Sequence, residues 1–443
     1  MICERIEALG CGAHPLGEVD AEKAAAWAQE RLGFAFARGQ SFALKMAISE
    51  KFCVITGGPG VGKTTILRAC MAVFRAKRLN VALAAPTGRA AKRMSESTGA
   101  EALTIHRLLE YDPSIGRFRR DSHECLDADV VVVDEASMLD VELAASLLLA
   151  VREDAAVLLV GDADQLPSVG PGRVLWDIIE SGRVPCAELT EVFRQSREST
   201  IVTNAHRINS GEMPYWPRGK VDRPQDNDFY FFTADEPEQA REILVDLVSK
   251  RIPDEFGFNA MEDIQVITPM QRGELGAVKL NESLKAAINP KPASLTKYGR
   301  DYSIGDKVMQ VVNDYDKNVF NGDIGRIQGI DEKESRITVM FDKELVNYEY
   351  SELDELVPSY AITIHKSQGS EYPCVVIALH TTHYIMLQRN LIYTAVTRAK
   401  KLCVIVGNTR ALGRAVSNTD SSRRITRLKG LLEQTIRKQR AAP

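Results

Sequence analysis

The eight cysteines (Cys3, Cys11, Cys53, Cys70, Cys125, Cys186, Cys374 and Cys403) include no C-x-x-C pair. A zinc ribbon or iron–sulfur centre is therefore excluded as a reading, and a reduced, cytoplasmic setting is expected. No window approaches the ~18 apolar residues of a spanning helix, so no membrane partner is expected. Positive charge is not in excess either: 56 Lys+Arg stand against 60 Asp+Glu, a net charge of −4 with pI about 6.1. Taken alone, that deficit counts against a phosphate-rich partner. Internal repeats at solenoid spacing and low-complexity tracts are also missing. What is present is a chain of 443 residues, 44% hydrophobic and 26% charged, close to the soluble globular average. At roughly 150 residues per domain it should hold about three domains.

Apolar periodicity organises those residues. Asp20 to Leu32 reads as an amphipathic helix opened by an Asp cap, followed past Gln40 by a second helix ending near Glu50. Short apolar runs then alternate with helical patterns: Phe52–Ile55, Val81–Ala84, Val130–Val133 and Val157–Val160. Runs of this kind suit strands buried on both faces, hence a parallel α/β sheet. A second set, Ile264–Ile267, Cys374–Ile377 and Leu402–Val406, implies a second α/β domain. Between its strands, Tyr302 to Leu356 carries short strands with turn residues such as Asn321-Gly322-Asp323, the pattern of a small antiparallel barrel.

Gly57-Gly58-Pro59-Gly60-Val61-Gly62-Lys63-Thr64 fits G-x-x-x-x-G-K-[ST] in full, after a strand and before a helical pattern at Ile66–Phe74. Glycines let backbone N–H groups wrap phosphates at a helix N-terminus, Lys63 bridges the β- and γ-phosphates, and Thr64 ligates Mg²⁺. Gly58, Pro59, Gly60, Val61, Gly62, Lys63, Thr64 and Thr65 are thus the expected ATP cradle. Asp134, ending a buried strand, would hold Mg²⁺ through water, and Glu135 would polarise the attacking water, which implies hydrolysis.

Past the next strand lies Gly161-Asp162-Ala163-Asp164-Gln165-Leu166-Pro167-Ser168-Val169-Gly170, whose Gln165 is a candidate γ-phosphate contact. With the two motifs above it resembles superfamily 1 helicases. Leu189-Thr190-Glu191-Val192-Phe193-Arg194-Gln195, Ile364-His365-Lys366-Ser367-Gln368-Gly369-Ser370-Glu371 and Tyr393-Thr394-Ala395-Val396-Thr397-Arg398-Ala399 extend the likeness. Their order is most similar to RecD-type helicases, the free-standing branch related to the exodeoxyribonuclease V alpha subunit, over about residues 20–410.

That resemblance implies an α/β fold of two RecA-like P-loop domains, with a small hairpin insertion in the first and an SH3-like β-barrel insertion in the second. The expected boundaries are N-terminal helices at 1–50, a first domain at 51–210 with a pin hairpin at about 108–125, and a second domain at 211–295 and 357–410. The barrel takes 296–356 and a basic tail 411–443. It further implies arginine fingers at Arg194 and Arg398, an adenine-reading Gln40 and a ribose contact at Glu371. Ala85-Pro86-Thr87-Gly88-Arg89 opens a helix, so backbone N–H groups, Thr87 and Arg89 would grip phosphates of a DNA strand. By resemblance Pro86, His106 and Arg107 belong to the same grip, with His106 bonding a phosphate or stacking on a base, and His365 and Lys366 contact the strand from the second domain. Tyr111 to Arg120 reads as a hairpin with a Pro-Ser turn and a basic, aromatic arm, implied to be the pin that splits duplex.

The expected activity is ATP-dependent 5′→3′ translocation on single-stranded DNA and unwinding of 5′-tailed duplex in repair or recombination, by a monomer. Expected partners are single-strand-binding protein or a recombination complex; the rival reading is an accessory motor subunit of a multi-chain recombination exonuclease. Long-form relatives carry helix-hairpin-helix elements ahead of the motor, whereas here Gly57 already opens the phosphate loop, so a compact relative or an excised motor core is expected. The charge deficit is also unevenly distributed along the chain. Asp222–Asp263 holds twelve acidic and four basic residues, while Arg410–Pro443 holds nine basic and two acidic. Ala85–Arg120 holds seven basic and four acidic, so nucleic-acid binding is expected along a groove. The basic tail is read as a solvated helix in preference to a further DNA contact.

Overall fold

The computed structural model describes residues 1–191, 199–217, 227–342, 344–419 and 426–440, the side chains of 435–440 excepted. The chain forms two compact units, Met1–Ser196 with Ser422–Pro443, and Arg197–Ser421.

The first unit is built on six parallel strands in the order Ala102–Thr104, Val81–Ala85, Val130–Val133, Ala156–Gly161, Phe52–Gly57, Cys186–Leu189. All four valines of Val130–Val133 are buried, as a β-branched run covered on both faces requires. Val54 stands opposite Leu159 on one side and Cys186 on the other, which puts the C-terminal strand ends, and the loops after them, along one edge. One face is covered by helices Ala21–Leu32, Arg38–Ala47 and Lys63–Ala76. Asp20 caps the first of these, accepting from the amides of Glu22 and Lys23 at 3.1 Å each.

The other face is covered by Val141–Ala150, Val174–Glu180 and two terminal helices that the periodicity did not reveal as partners. Ile2–Gly10 buries Ile2, Cys3, Ile6 and Leu9. Leu428–Arg440 returns to the same core, burying Leu428 and Leu432, while Lys429 lies over the Trp176 ring at 5.5 Å. The stretch read as one basic tail is accordingly divided. Thr409–Ser417 buries Ala411, Leu412, Ala415 and Val416 in the second unit, and the last helix docks on the first. A solvated helix is therefore the wrong picture for its first turns: two leucines one turn apart contribute about 1.5–3 kcal/mol each when fully buried, enough to hold it down.

The second unit repeats the parallel architecture with five strands ordered Ala361–Thr363, Ile264–Thr268, Tyr372–Leu379, Ala399–Gly407, Phe229–Thr233. Its insertion is a five-stranded antiparallel sheet, Glu344–Glu349, Arg336–Phe341, Ile324–Asp331, Lys307–Gln310, Leu356–Pro358, around Tyr302, Ile337, Val339 and Tyr348. A buried polar network fixes the insertion to helix Ala277–Ile288: Asp306 accepts from Lys285 Nζ at 2.6 Å, Asn289 Nδ2 at 2.7 Å and the Tyr360 hydroxyl at 2.9 Å. Lys307 Nζ donates to the Ile264 carbonyl at 3.0 Å. Among the described residues no helix is long and apolar enough to cross a membrane.

Candidate nucleotide and nucleic-acid sites

The strand Phe52–Gly57 ends in the glycine loop, and helix Lys63–Ala76 begins directly after it, with Gly62 as N-cap in the left-handed region at φ 84°. A side chain at Gly57 is ruled out by crowding, because its Cβ would lie 2.6 Å from the Leu189 carbonyl oxygen. Among the described residues the amides of Val61 through Thr65 meet no acceptor. A concave run of unsatisfied N–H groups at a helix N-terminus is the feature an anion satisfies. Lys63 folds back over the loop, its Nζ donating to the carbonyls of Gly57 at 2.6 Å and Gly58 at 2.9 Å. The donor set fits a polyphosphate.

Asp134 and Glu135 follow Val130–Val133. The Asp134 amide donates to Ala84 O at 3.0 Å, and its Oδ1 accepts from the Glu135 amide at 2.8 Å. Burial and the neighbouring Glu135 carboxylate raise the Asp134 pKa, while Lys63 and Arg93 pull it back. A cation at this carboxylate would relieve that unfavourable burial. Glu135 itself is held at φ 51°, a left-handed backbone uncommon for a non-glycine residue and found disproportionately at functional sites. The buried Ser137 hydroxyl beside this pair has no hydrogen-bond partner, a polar atom left waiting for a ligand or water. Sequence reasoning quoted Ser137 inside its motif without giving it a role; burial is what singles it out.

Gln165 is also buried, its Nε2 donating to Asp162 Oδ2 at 3.1 Å. Gln40 is 1% exposed and ties the loop to its own helix: Oε1 accepts from the Ala37 amide and Nε2 donates to the Val61 carbonyl, both at 3.1 Å. Glu191 clips the start of that helix, accepting from the Gly39 amide at 3.0 Å. Arg194 lies outside the described residues. In the second unit Arg398, 2% exposed, donates to the carbonyls of Thr394 and Ser370 at 3.1 Å each and to the Thr397 hydroxyl at 3.2 Å. Glu371 pairs with Lys400 at 3.3 Å.

The residues read as DNA contacts fall on both units. Pro86 leads out of Val81–Ala85, and Thr87 caps helix Gly88–Thr98 by accepting from the Ala90 amide at 3.3 Å; Arg89 is half-buried in its first turn. Thr104 likewise caps the short helix carrying His106 and the exposed Arg107. His106 packs against the hairpin that follows, with ring centroids 5.8 Å from Tyr111 and 5.5 Å from Phe118, which are themselves 5.2 Å apart. Burial lowers its pKa. The hairpin pairs Tyr111 with Phe118 and Asp112 with Arg117, leaving Ile115 62% exposed at the tip. Its turn is braced by Asp112, which accepts from Ser114 N, Ser114 Oγ and Arg119 Nη2, and whose pKa is pulled down to about 2 by Ser114 and Arg119. Arg119 and Arg120 therefore spend charge on Asp112 and Glu110, and the arm is less basic than its sequence reads. His365 and the exposed Lys366 lie in a single turn after Ala361–Thr363. Lys366, Thr363, Arg300, Lys285 and Lys291 line a cavity of about 850 Å³ between helix Ala277–Ile288 and the barrel insertion.

Comparison with known proteins follows the same division. Residues 40–171 match the AAA domain family, 280–341 the SH3 domain of ATP-dependent RecD-like DNA helicases, and 358–406 the UvrD-like helicase C-terminal domain. The ATP-dependent RecD2 DNA helicase of Deinococcus radiodurans is 37% identical over 84% of this chain, which spans about half of that protein, 49%. The RecBCD enzyme subunit RecD of Mycolicibacterium smegmatis is 31% identical, with 83% of this chain and 70% of the relative covered. Among solved structures, Pif1 helicases acting on forked duplex DNA share the fold at TM-score 0.53 and 18% identity, with 92% and 98% of the two chains covered. A Bacteroides Pif1 in complex with ADP-AlF3 and single-stranded DNA does so at 0.52 and 17%, with the same coverage. Two RecA-like domains, a RecD-type SH3 insertion and this identity together mean that the chain belongs to the RecD-like family of superfamily 1 helicases.

Proposed function

We propose that this chain is an ATP-dependent DNA helicase that moves 5′→3′ along single-stranded DNA and unwinds 5′-tailed duplex. The observation that carries the reading is the glycine loop with its unmatched amides, set beside Asp134 and Glu135. In this reading Gly58–Thr65 bind the phosphates, with Lys63 leaving the Gly57 and Gly58 carbonyls for the β- and γ-oxygens. Thr64 and Asp134 hold Mg²⁺, which when bound neutralises charge on those phosphates. Glu135 polarises the attacking water, Gln165 hydrogen-bonds the γ-phosphate, and Ser137 is a further polar contact nearby. Gln40 reads adenine through the amide hydrogen and lone pair left over from its backbone contacts, Glu371 contacts the ribose, and Arg194 and Arg398 stabilise charge in the transition state.

Pro86, Thr87, Arg89, His106 and Arg107 grip the strand from the first unit, and His365 and Lys366 from the second, so that alternating grip advances it. The chain works as a monomer in the cytoplasm, in DNA repair or recombination, alongside single-strand-binding protein. Coverage of 70% of a RecBCD subunit favours a second reading, an accessory motor within a recombination nuclease. Unwinding of a 5′-tailed against a 3′-tailed duplex by the isolated chain tests both. Preference for the 5′ tail is expected, preference for the 3′ tail overturns the polarity, and no unwinding with intact ATP turnover favours the subunit reading.

A further inference from the structure

Away from the glycine loop, the helix Lys63–Ala76 carries a second feature. Arg68, Met71, Ala72 and Arg75 recur at i, i+3, i+4 and i+7 and form one stripe. Facing that stripe are Trp27 and Arg31, one turn apart on Ala21–Leu32, and between the two helices lies a cavity of about 420 Å³. Its floor is apolar, its rim holds three arginines, and among the described residues no carboxylate lines it. Among the described residues none of Arg31, Arg68 and Arg75 is paired with an acid; Arg75 donates to the Gly99 carbonyl at 3.0 Å, and Arg31 lies 5.7 Å from the Trp27 ring centroid. Trp27 is 38% exposed. The phosphate-binding and strand-gripping residues assigned above do not include any of these side chains.

We infer that this groove docks an acidic peptide segment of a partner protein, one carrying several carboxylates and a large apolar side chain. Guanidinium forks match carboxylates in two parallel hydrogen bonds, and three arginines with no acidic partner supply charge complementarity to an acidic segment. Phosphates would meet the rim equally well, so the floor decides the class. Leu32, Ala72 and Ala76 offer apolar surface that a sugar–phosphate backbone cannot fill, and the Arg31 guanidinium already lies over the Trp27 ring on which a base would stack. A buried aromatic or aliphatic anchor ringed by charge is also the usual anatomy of a peptide hot spot.

The inference is independent of the helicase reading and is tested on the full chain. A fluorescein-labelled hexapeptide of four aspartates followed by leucine and phenylalanine is titrated by anisotropy, with Trp27 emission followed in parallel. Saturable binding that weakens with salt and falls about tenfold or more in Arg31→Glu/Arg68→Glu is expected, with ATP turnover unchanged. The milder Arg31→Gln/Arg68→Gln pair should lose most of the same affinity without the risk of charge reversal. Unaltered peptide binding in both variants overturns the inference. So does full displacement of the peptide by oligothymidylate, which would make the groove a nucleic-acid site.

Discussion

The two parallel sheets of this chain differ in what happens to the amides at one strand-to-helix junction in each. In the first unit, Phe52–Gly57 opens into a glycine loop, and the N–H groups of Val61 to Thr65 find no acceptor among the described residues. In the second, Ile264–Thr268 leads into Pro269 to Gly276 and then a helix of similar length, but that loop consumes its own donors. Ala277 N donates to Met270 O at 3.0 Å, Val278 N to Gln271 O at 3.2 Å, and Gly276 N to Gly273 O at 2.9 Å. Thr268 Oγ1 closes the loop on Leu275 O at 2.6 Å, and Arg241 clamps Glu274. The same strand–loop–helix geometry thus leaves a run of amides unmatched once and closes its turn once. Fold supplies the position, and the hydrogen-bond accounting of a few amides supplies the function.

The largest effect should come from breaking that asymmetry at its cation. Lys63→Ala is expected to cut DNA-stimulated ATP hydrolysis by about 10³-fold with an unchanged circular dichroism spectrum, whereas Arg272→Ala in the second loop leaves turnover within about twofold. Comparable losses in both would mean that the two loops share the work. Glu135→Gln should lower turnover by about 10²–10³-fold while nucleotide binding, measured by a fluorescent ATP analogue, persists. Weakened binding instead would assign Glu135 to holding nucleotide.

The two units are expected to respond alike to acid. His14 in the first unit and His383 in the second are both pulled down to about 4, His14 by burial and Lys51, His383 by burial and His380. Their neutral forms are favoured by folding, so the stability they contribute is complete above the unfolded value near 6.5 and is lost as pH falls toward 4. Protonating His14 also removes the Nδ1 acceptor of the Leu16 amide, 3.0 Å away. Thermal melts between pH 7 and 4.5 should show a falling Tm, with proteolytic fragments from both units; a flat Tm contradicts the burial argument. The smallest effect concerns the hairpin. His106→Ala removes two ring contacts worth about 0.5–1.5 kcal/mol each, so unwinding should drop up to about tenfold while single-strand-stimulated turnover changes less than about twofold. Equal losses would mean that His106 grips DNA directly instead of seating the hairpin.

Much of the architecture was legible because buried parallel strands read as unbroken apolar runs, as at Val130–Val133 and Cys374–Ile377. The edge strands Ala102–Thr104, Ala361–Thr363 and Phe229–Thr233 were not, because runs this short or half-exposed carry little pattern. The nucleotide loop was legible for a different reason: its residues are contiguous, and a helix N-terminus builds the site from neighbours in the chain. Roles of isolated residues were harder to read. Nothing about Gln40, Arg398 or His106 in isolation reveals that the first is tied to Val61, the second to Ser370, and the third to Tyr111 and Phe118.

By itself, then, the amino-acid order determined the α/β class, the barrel insertion and the phosphate loop, all of which follow from local periodicity or from residues adjacent in sequence. Tertiary structure alone decided that the last helix joins the first, with Leu428 in the core that holds Cys3. It also decided that Trp27, Arg31, Arg68 and Arg75 line one groove. Those arrangements bring together side chains far apart in the chain, and their energy comes from shared burial and charge, which no local stretch of sequence encodes.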